Sequence, residues 1–396
     1  MSISPANYFQ ACQNREHLAE NSFPTHLLTI NNGINMTTHA ITCNFPDGKK
    51  LSFNCEDGKT LIEGALDNHV ILQTGCMNGF CATCKLLVTE GEYDFTTDIS
   101  TDALPEFEQD DGYILGCVTQ PASDLEIAIP YEFERVTYGS RLPKNDFTTT
   151  VSECGLVSSN VYRLVLQTIS SDDSSPQTFD FVAGQYVNLK IPGTESQRSY
   201  SMASACTDKG QLEFLIRILP DGEFSDYLVN KISVGDRLDA SGPEGIFNIR
   251  KVSNNDRYFV AGGTGVAPFL SMIRQMDKTS DTTPVKLFFG LSEMQEMFMD
   301  EFEQELSEIQ SRLPNIERYY SMMNPDESWI GEQGTAVDTL KRELSSASKM
   351  PDIYLCGPPA MMTAAHDAAK AISSDIPGDF QIISEEFAAS GGDQEN

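Results

Sequence analysis

The chain has 396 residues, 40% of them hydrophobic, with 28 Gly and 19 Pro, which is an ordinary composition for a folded protein and a length that calls for two or three domains. No run of 18 apolar residues is present to span a bilayer. The 58 acidic and 27 basic residues leave a formal charge of −31, which repels nucleic-acid phosphates, so neither a membrane nor a nucleic acid is the expected partner and a solvated acidic surface is.

Residues 1–35 begin MSISPANYFQACQNREHLAEN and lack the basic start, apolar core and small-residue cleavage site of a secretory signal. A cytoplasmic, reducing location is therefore expected. There, ten cysteines argue against a disulfide framework and for metal or redox use of those that cluster, while scattered ones such as Cys43, Cys55 and Cys206 default to small buried hydrophobes. This N-terminal stretch and the acidic tail SGGDQEN are expected to be disordered.

From 36 to 136 the pattern reads as a compact α+β unit. THAITCNFPDGKKLSFNCEDG gives two strands around a Pro-Asp-Gly turn, and TLIEGALDNHV a short helix opened by Thr60. A cysteine-rich loop follows, then a strand in KLLVTEGEYDF, an acidic helical stretch around LPEFEQDDGYILGC and a last strand in DLEIAIPYEF. The loop, GCMNGFCATCKLLV, holds Cys76, Cys81 and Cys84 as C-x4-C-x2-C, and 32 residues separate Cys84 from Cys117. That is the plant-type [2Fe–2S] spacing. Small neighbours, Gly75, Gly79, Ala82 and Thr83, let backbone N–H groups approach anionic sulfurs. The competing readings are a zinc site, which usually shows two C-x2-C knuckles, and four unrelated buried thiols.

From 143 to 250 six short β runs punctuated by Gly and Pro predict a closed or nearly closed antiparallel barrel. Arg198-Ser199-Tyr200-Ser201 ends one run, and Gly222-Glu-Phe224-Ser225 precedes the helix-like DYLVNKI. An Arg can pair a flavin pyrophosphate, a Tyr can stack on the isoalloxazine, a Ser can hydrogen-bond near flavin N5, and a helix N-terminus after a glycine can cradle phosphate. Singly, these residues also read as a surface charge, a core aromatic and a plain N-cap.

From 255 to 390 strand and helix alternate, which predicts βαβ units and a parallel sheet. Gly262-Gly263-Thr264-Gly265 runs from strand RYFVA into a helix, and Cys356-Gly357-Pro358 ends strand DIYL, where ligands of open parallel sheets bind. A buried structural thiol is the alternative for Cys356.

On these residues the 36–136 unit resembles the plant-type ferredoxin domain, in which many relatives carry Gly or Ser at the position of Ala82. The order of R-x-Y-S and G-x-x-S, with AGQYVNL (183–189) and GPEGIF (242–247), resembles the flavin barrel of the ferredoxin–NADP reductase family, which implies FAD rather than FMN. In that family GGTGVAPF and CGPP line the nicotinamide nucleotide site, with the cysteine near the nicotinamide. The ribose-facing segment reads LSEMQEMF, with Ser292 where many relatives have Arg, and Glu293 and Glu296 would repel a 2′-phosphate; NADH is expected over NADPH. ISEEF (383–387) resembles a Y-E-K-F segment, departing at Ser384 and Glu386, and places Phe387 as a ring against the flavin.

The domain order, ferredoxin first, resembles the single-chain reductase components of ring-hydroxylating dioxygenases of the benzoate, toluate and anthranilate types, over residues 36–387. It implies hydride transfer from NADH to FAD, single-electron transfer to the cluster, and delivery to a terminal, Rieske-type oxygenase component. The same order occurs in the reductases of multicomponent phenol, toluene or methane monooxygenases. A redox sensor and a zinc-stapled scaffold are the readings from other classes. The first 35 residues fall outside the resemblance, as an upstream start codon with Met36 as the alternative start would explain.

Overall fold

In a computed structural model of the chain, the described residues are 37–385, except 100, 102, 143, 144, 171–174, 195, 207–209 and 252. The expectations for residues 1–35, the acidic tail, Glu386 and Phe387 lie outside them. No helix among the described residues is long and apolar enough to cross a membrane.

The cysteine-bearing unit is a five-stranded sheet. Strands β1 (Thr38–Asn44), β2 (Lys50–Glu56), β3 (Lys85–Glu90), β4 (Tyr113–Leu115) and β5 (Leu125–Ala128) lie in the order β2-β1-β5-β3-β4. β1 is antiparallel to β2 and parallel to β5, so the chain between them crosses over one face. Helix α1 (Leu61–Asp67) lies on that face and starts at a capping box: Thr60 Oγ1 accepts from the Glu63 N–H at 3.3 Å, and Glu63 Oε2 from the Thr60 N–H at 2.9 Å. The helix sits close to the sheet because residue 64 is Gly; a Cβ there would lie 2.5 Å from Cys55 Sγ. Cys43 and Cys55 are buried, and desolvation pushes their thiols up to about 12 and about 11, as inert core residues require. Cys206, by contrast, is only half-buried, its Sγ donating to the Phe179 carbonyl at 3.5 Å. None of the nine described cysteines is in a disulfide.

The six predicted β runs form one antiparallel sheet of β6 (Asp146–Leu156), β7 (Val161–Ile169), β8 (Tyr186–Lys190), β9 (Gln197–Ser201), β10 (Gln211–Arg217) and β11 (Arg237–Glu244), in the order β9-β8-β11-β6-β7-β10. Its edges, β9 and β10, are drawn together where the Ala203 N–H donates to the Glu213 carbonyl at 2.7 Å, so the barrel is nearly closed. Val151, Leu164, Leu166, Val187, Leu189, Phe214 and Leu238 fill it.

The last unit is a six-stranded parallel sheet of β12 (Arg257–Gly262), β13 (Val285–Glu293), β14 (Ile316–Asn324), β15 (Glu332–Gln333), β16 (Asp352–Cys356) and β17 (Ile382–Glu385), in the order β15-β14-β13-β12-β16-β17. Every residue of β12 and β16 is buried, as expected of strands covered on both faces. Phe259 joins the core on one face and its neighbours Tyr258 and Val260 the core on the other.

Polar contacts bind the units together. Arg274 of the nucleotide-type sheet unit donates to Glu213 Oε2 (2.5 Å) and to the Ala203 carbonyl (2.9 Å) of the barrel. Despite burial, Arg274 and Arg163 hold the Glu213 carboxyl below its usual range. A buried ion pair, Lys85–Glu108 at 2.6 Å, meets Ser384 of β17, and His366 stacks on Phe107 with ring centroids 4.3 Å apart.

Candidate functional site

The loop of residues 75–84 turns on three left-handed residues, Met77 (φ 61°), Gly79 (φ 79°) and Ala82 (φ 52°). These turns aim backbone N–H groups at sulfur: Asn78 and Phe80 donate to Cys76 Sγ at 3.4 and 3.3 Å, and Cys76 to Cys81 Sγ at 3.3 Å. The left-handed backbone at Ala82 costs about 1–2 kcal/mol without glycine, so conformation as well as size constrains that position. The four sulfurs stand as two pairs. A hydrogen bond with Cys76 holds Cys81 well below the usual thiol range and raises Cys76; one with Cys84 lowers Cys117 and raises Cys84. Among the described residues no three His, Cys, Asp or Glu converge at the spacing of one ion. Two thiol pairs with inward N–H groups suit a binuclear, anionic cluster better than a single zinc.

The loop abuts the barrel. Tyr186 OH lies 2.6 Å from Thr83 Oγ1 and donates to Glu244 Oε2 at 3.0 Å, and a Cβ on Gly75 would lie 3.0 Å from Tyr186 OH and 3.1 Å from Cys81 Sγ. Burial, then the nearby Cys81, pushes the Glu244 carboxyl up.

Tyr186 is the register partner of Ser201 on β9. Ser201 Oγ donates to Glu385 Oε2 at 2.8 Å, and Glu385 is in turn the register partner of Cys356. Ser201, Cys356 and Glu385 thus converge, all buried. Burial pushes the Glu385 carboxyl up to about 8, against the opposing pull of the Ser201 hydrogen bond and Lys85. The other residues of the barrel motif divide by strand alternation: Arg198 and Tyr200 point to one face of β9, Ser199 and Ser201 to the other. Tyr200 stacks on Phe224 (centroids 5.6 Å apart), and Phe224 is a core residue. Ser199 Oγ is 2.6 Å from Asn188 Oδ1. Arg198 donates to the Gln197 carbonyl at 2.9 Å and makes no ion pair among the described residues. Helix α2 (Glu223–Asn230) begins earlier than the sequence pattern predicts: Gly222 is its N-cap, and Ser225 lies in its first turn, where its Oγ accepts from the Leu219 N–H at 3.0 Å.

Gly262–Gly265 and Cys356–Pro358 meet at the C-terminal ends of the adjacent strands β12 and β16. Gly263 is left-handed (φ 53°), and a Cβ on Gly265 would lie 2.3 Å from the Cys356 carbonyl oxygen. Thr264 sits half-exposed at this turn. Glu293 ends β13, where its Oε1 accepts from Asn324 Nδ2 at 2.8 Å; Glu296 accepts from Asn160 of the barrel at 2.9 Å and is committed to that contact. A cavity of about 710 Å³ lined by Lys85, Phe107, Tyr113, Arg250, His366 and Ser384 lies beside the junction, and none of the predicted site residues lines it.

Sequence reasoning missed Glu385, Glu244 and the hydroxyl of Tyr186. All three lie inside family-like segments, AGQYVNL, GPEGIF and ISEEF, but one more carboxylate among 58 acidic residues carries no local mark of burial.

Three families match in succession: "2Fe-2S iron-sulfur cluster binding domain" over residues 44–122, "Oxidoreductase FAD-binding domain" over 148–249 and "Oxidoreductase NAD-binding domain" over 259–367. Methane monooxygenase component C of Methylosinus trichosporium is 41% identical over 69% of this chain and 78% of its own length. The toluate 1,2-dioxygenase electron transfer component of Pseudomonas putida is 29% identical over 89% of this chain and 99% of its own. Among solved structures, a cytochrome P450 reductase of Amycolatopsis superposes with a TM-score of 0.61 at 27% identity, over 88% of this chain and 98% of that one.

Proposed function

Because the chain belongs to the family of oxygenase reductase components in which a 2Fe-2S domain precedes FAD- and NAD-binding domains, we propose that it is the NADH-dependent reductase serving the oxygenase component of an aromatic-ring-hydroxylating dioxygenase of the benzoate, toluate or anthranilate type. The observation that carries this reading is that Ser201 of the barrel meets Cys356 and Glu385 of the last domain, while Tyr186, the register partner of Ser201, reaches Thr83 of the cysteine loop at 2.6 Å, so all three domains join at one junction. When bound, FAD converts the hydride of NADH into single electrons and the 2Fe-2S cluster passes them on one at a time.

The residues divide that work as follows. Cys76 with Cys81, and Cys84 with Cys117, would hold the cluster, with loop N–H groups facing the Cys76 and Cys81 sulfurs. Arg198, which makes no ion pair among the described residues, and the start of α2 at Gly222 would take the FAD pyrophosphate. Tyr200, supported by Phe224, presents a ring to the isoalloxazine, and Ser199 and Ser225 brace strand and turn around it. Ser201 Oγ stands at the reacting edge with its proton held toward Glu385 Oε2. A carboxyl raised to about 8 is protonated at neutral pH, so Glu385 can hold a proton there.

Gly262–Gly265 and Cys356–Pro358 would receive the dinucleotide, with Cys356 on the side of the nicotinamide, and Glu293 would disfavour a 2′-phosphate. The resemblance assigns Phe387, which lies outside the described residues, to cover the flavin ring. The domain limits that accompany this reading are 36–136, 143–250 and 255–390, the acceptor is a Rieske-type oxygenase, and the setting is the cytoplasm.

The 41% identity to methane monooxygenase component C favours a second reading, a monooxygenase reductase. Reconstitution with purified oxygenase components of each class separates the two. Product from a benzoate- or anthranilate-type oxygenase supports the first; turnover with a monooxygenase hydroxylase alone sinks it.

A further inference from the structure

A buried tyrosine in a barrel usually fills space, and a phenylalanine would serve as well. Tyr186 is buried, 4% exposed, yet among the described residues its hydroxyl bonds only Glu244 of the barrel and Thr83 of the cysteine loop. Three facts converge on that hydroxyl. Thr83, one residue before Cys84 and two after Cys81, approaches to 2.6 Å. Glu244, at the end of β11, accepts its proton at 3.0 Å. Gly75, at the start of the loop, is open on the same side: a Cβ there would lie 2.3 Å from Glu244 Oε2, 3.0 Å from Tyr186 OH and 3.1 Å from Cys81 Sγ. The absence of a side chain at 75 is what lets the barrel groups reach the sulfur. The tyrosine ring also stands beside the second site, because a Cβ on Gly245 would lie 3.1 Å from Tyr186 Cδ1 and 3.6 Å from Glu385 Oε1. Its backbone pairs directly with Ser201.

We propose that Tyr186 is the positioning residue that seats the cysteine loop on the flavin barrel, and that Cys81, of the four cysteines, is the one turned toward the Ser201–Glu385 site. Tyr186 OH donates to Glu244 Oε2, so the proton of the 2.6 Å contact is that of Thr83, and a Cβ on Gly75 would lie within 3.1 Å of both Tyr186 OH and Cys81 Sγ. Removing the Tyr186 hydroxyl leaves Glu244 without that donor beside the sulfur, and leaves Thr83 of the loop without its barrel partner. Both changes make the surroundings of Cys81 more negative and less constrained. The proposal rests on the reading of the four cysteines as cluster ligands, and it assigns them unequal roles, with the Cys81 face inward and Phe80, 60% exposed, on the outward face of the loop.

The test uses the full chain with its cofactors, as Tyr186→Phe and, separately, Thr83→Val. Hydrogen exchange of residues 75–84 reads the seat, and a redox titration followed by electron paramagnetic resonance reads the cluster potential. In both variants exchange in the loop is expected to rise by about tenfold for the loss of one hydrogen bond. The cluster potential is expected to fall by up to about 59 mV, the one-electron equivalent of a tenfold change. A tyrosine that merely fills the barrel would move neither quantity in Tyr186→Phe, and unchanged exchange and potential in that variant would overturn the proposal. Should Tyr186→Phe fail to fold, unchanged values in Thr83→Val overturn it equally. Iron and sulfide assayed on the unsubstituted chain test the ligand reading by itself: their absence defeats that reading, while the exchange measurement still decides whether Tyr186 seats the loop.

Discussion

Replacing Glu385 by Gln should change how stability depends on pH. The Glu385 carboxyl is buried and pushed up to about 8, from an ordinary value of 4.5, chiefly by desolvation, with Cys81 adding to the shift and Ser201 and Lys85 opposing it. The folded state therefore holds a proton that the unfolded state has released, across the window between those two values. With more protons bound in the native state, stability falls as pH rises. Integrated from pH 5 to pH 8 at 1.36 kcal/mol per unit, the loss is about 3 kcal/mol. A glutamine keeps the shape and a partner for Ser201 but cannot ionise, so Glu385→Gln should match the native protein near pH 5 and exceed it by about 3 kcal/mol near pH 8. Urea unfolding followed by fluorescence of Trp329, the single tryptophan, reads the domain that carries Glu385. Parallel pH dependences in the two proteins would refute the assignment of a buried, proton-holding carboxyl.

Other perturbations address the remaining joints. Arg274→Met removes one of the two guanidinium partners of buried Glu213, so it should destabilise the barrel–nucleotide contact by about 3 kcal/mol; an unchanged urea midpoint would contradict this. Gly265→Val places atoms where the Cys356 carbonyl oxygen stands 2.3 Å from an ideal Cβ, so it should raise the KM for NADH while leaving iron and sulfide content intact. Glu293→Lys reverses the charge at the end of β13 and should raise the NADPH-to-NADH ratio of kcat/KM by about tenfold; a ratio that does not move would place the ribose elsewhere.

What could be read from the sequence was what is written locally. The cysteines announce themselves because three of four fall within one loop, and the barrel and the parallel sheet follow from short β runs and from strand–helix alternation. The conformational demand at Ala82 was not legible, since size and a left-handed backbone both favour Gly there. The start of α2 was misplaced because Ser225 looks like an N-cap, whereas its hydroxyl serves the preceding turn at Leu219. Glu244 and Glu385 became visible only when strands distant in sequence came into register, β8 with β11 and β16 with β17. Lys85 and Glu108 pair within the cysteine-bearing unit, but their contact with Ser384 depends on two domains docking.

The most direct test of the account is a visible absorption spectrum of anaerobically purified protein before and after one equivalent of NADH, with iron, sulfide and flavin assayed on the same sample. The account predicts a 2Fe-2S cluster and FAD in one chain, bleached promptly and together by NADH. Bound zinc in place of iron, or a flavin that NADH does not reduce, would contradict it.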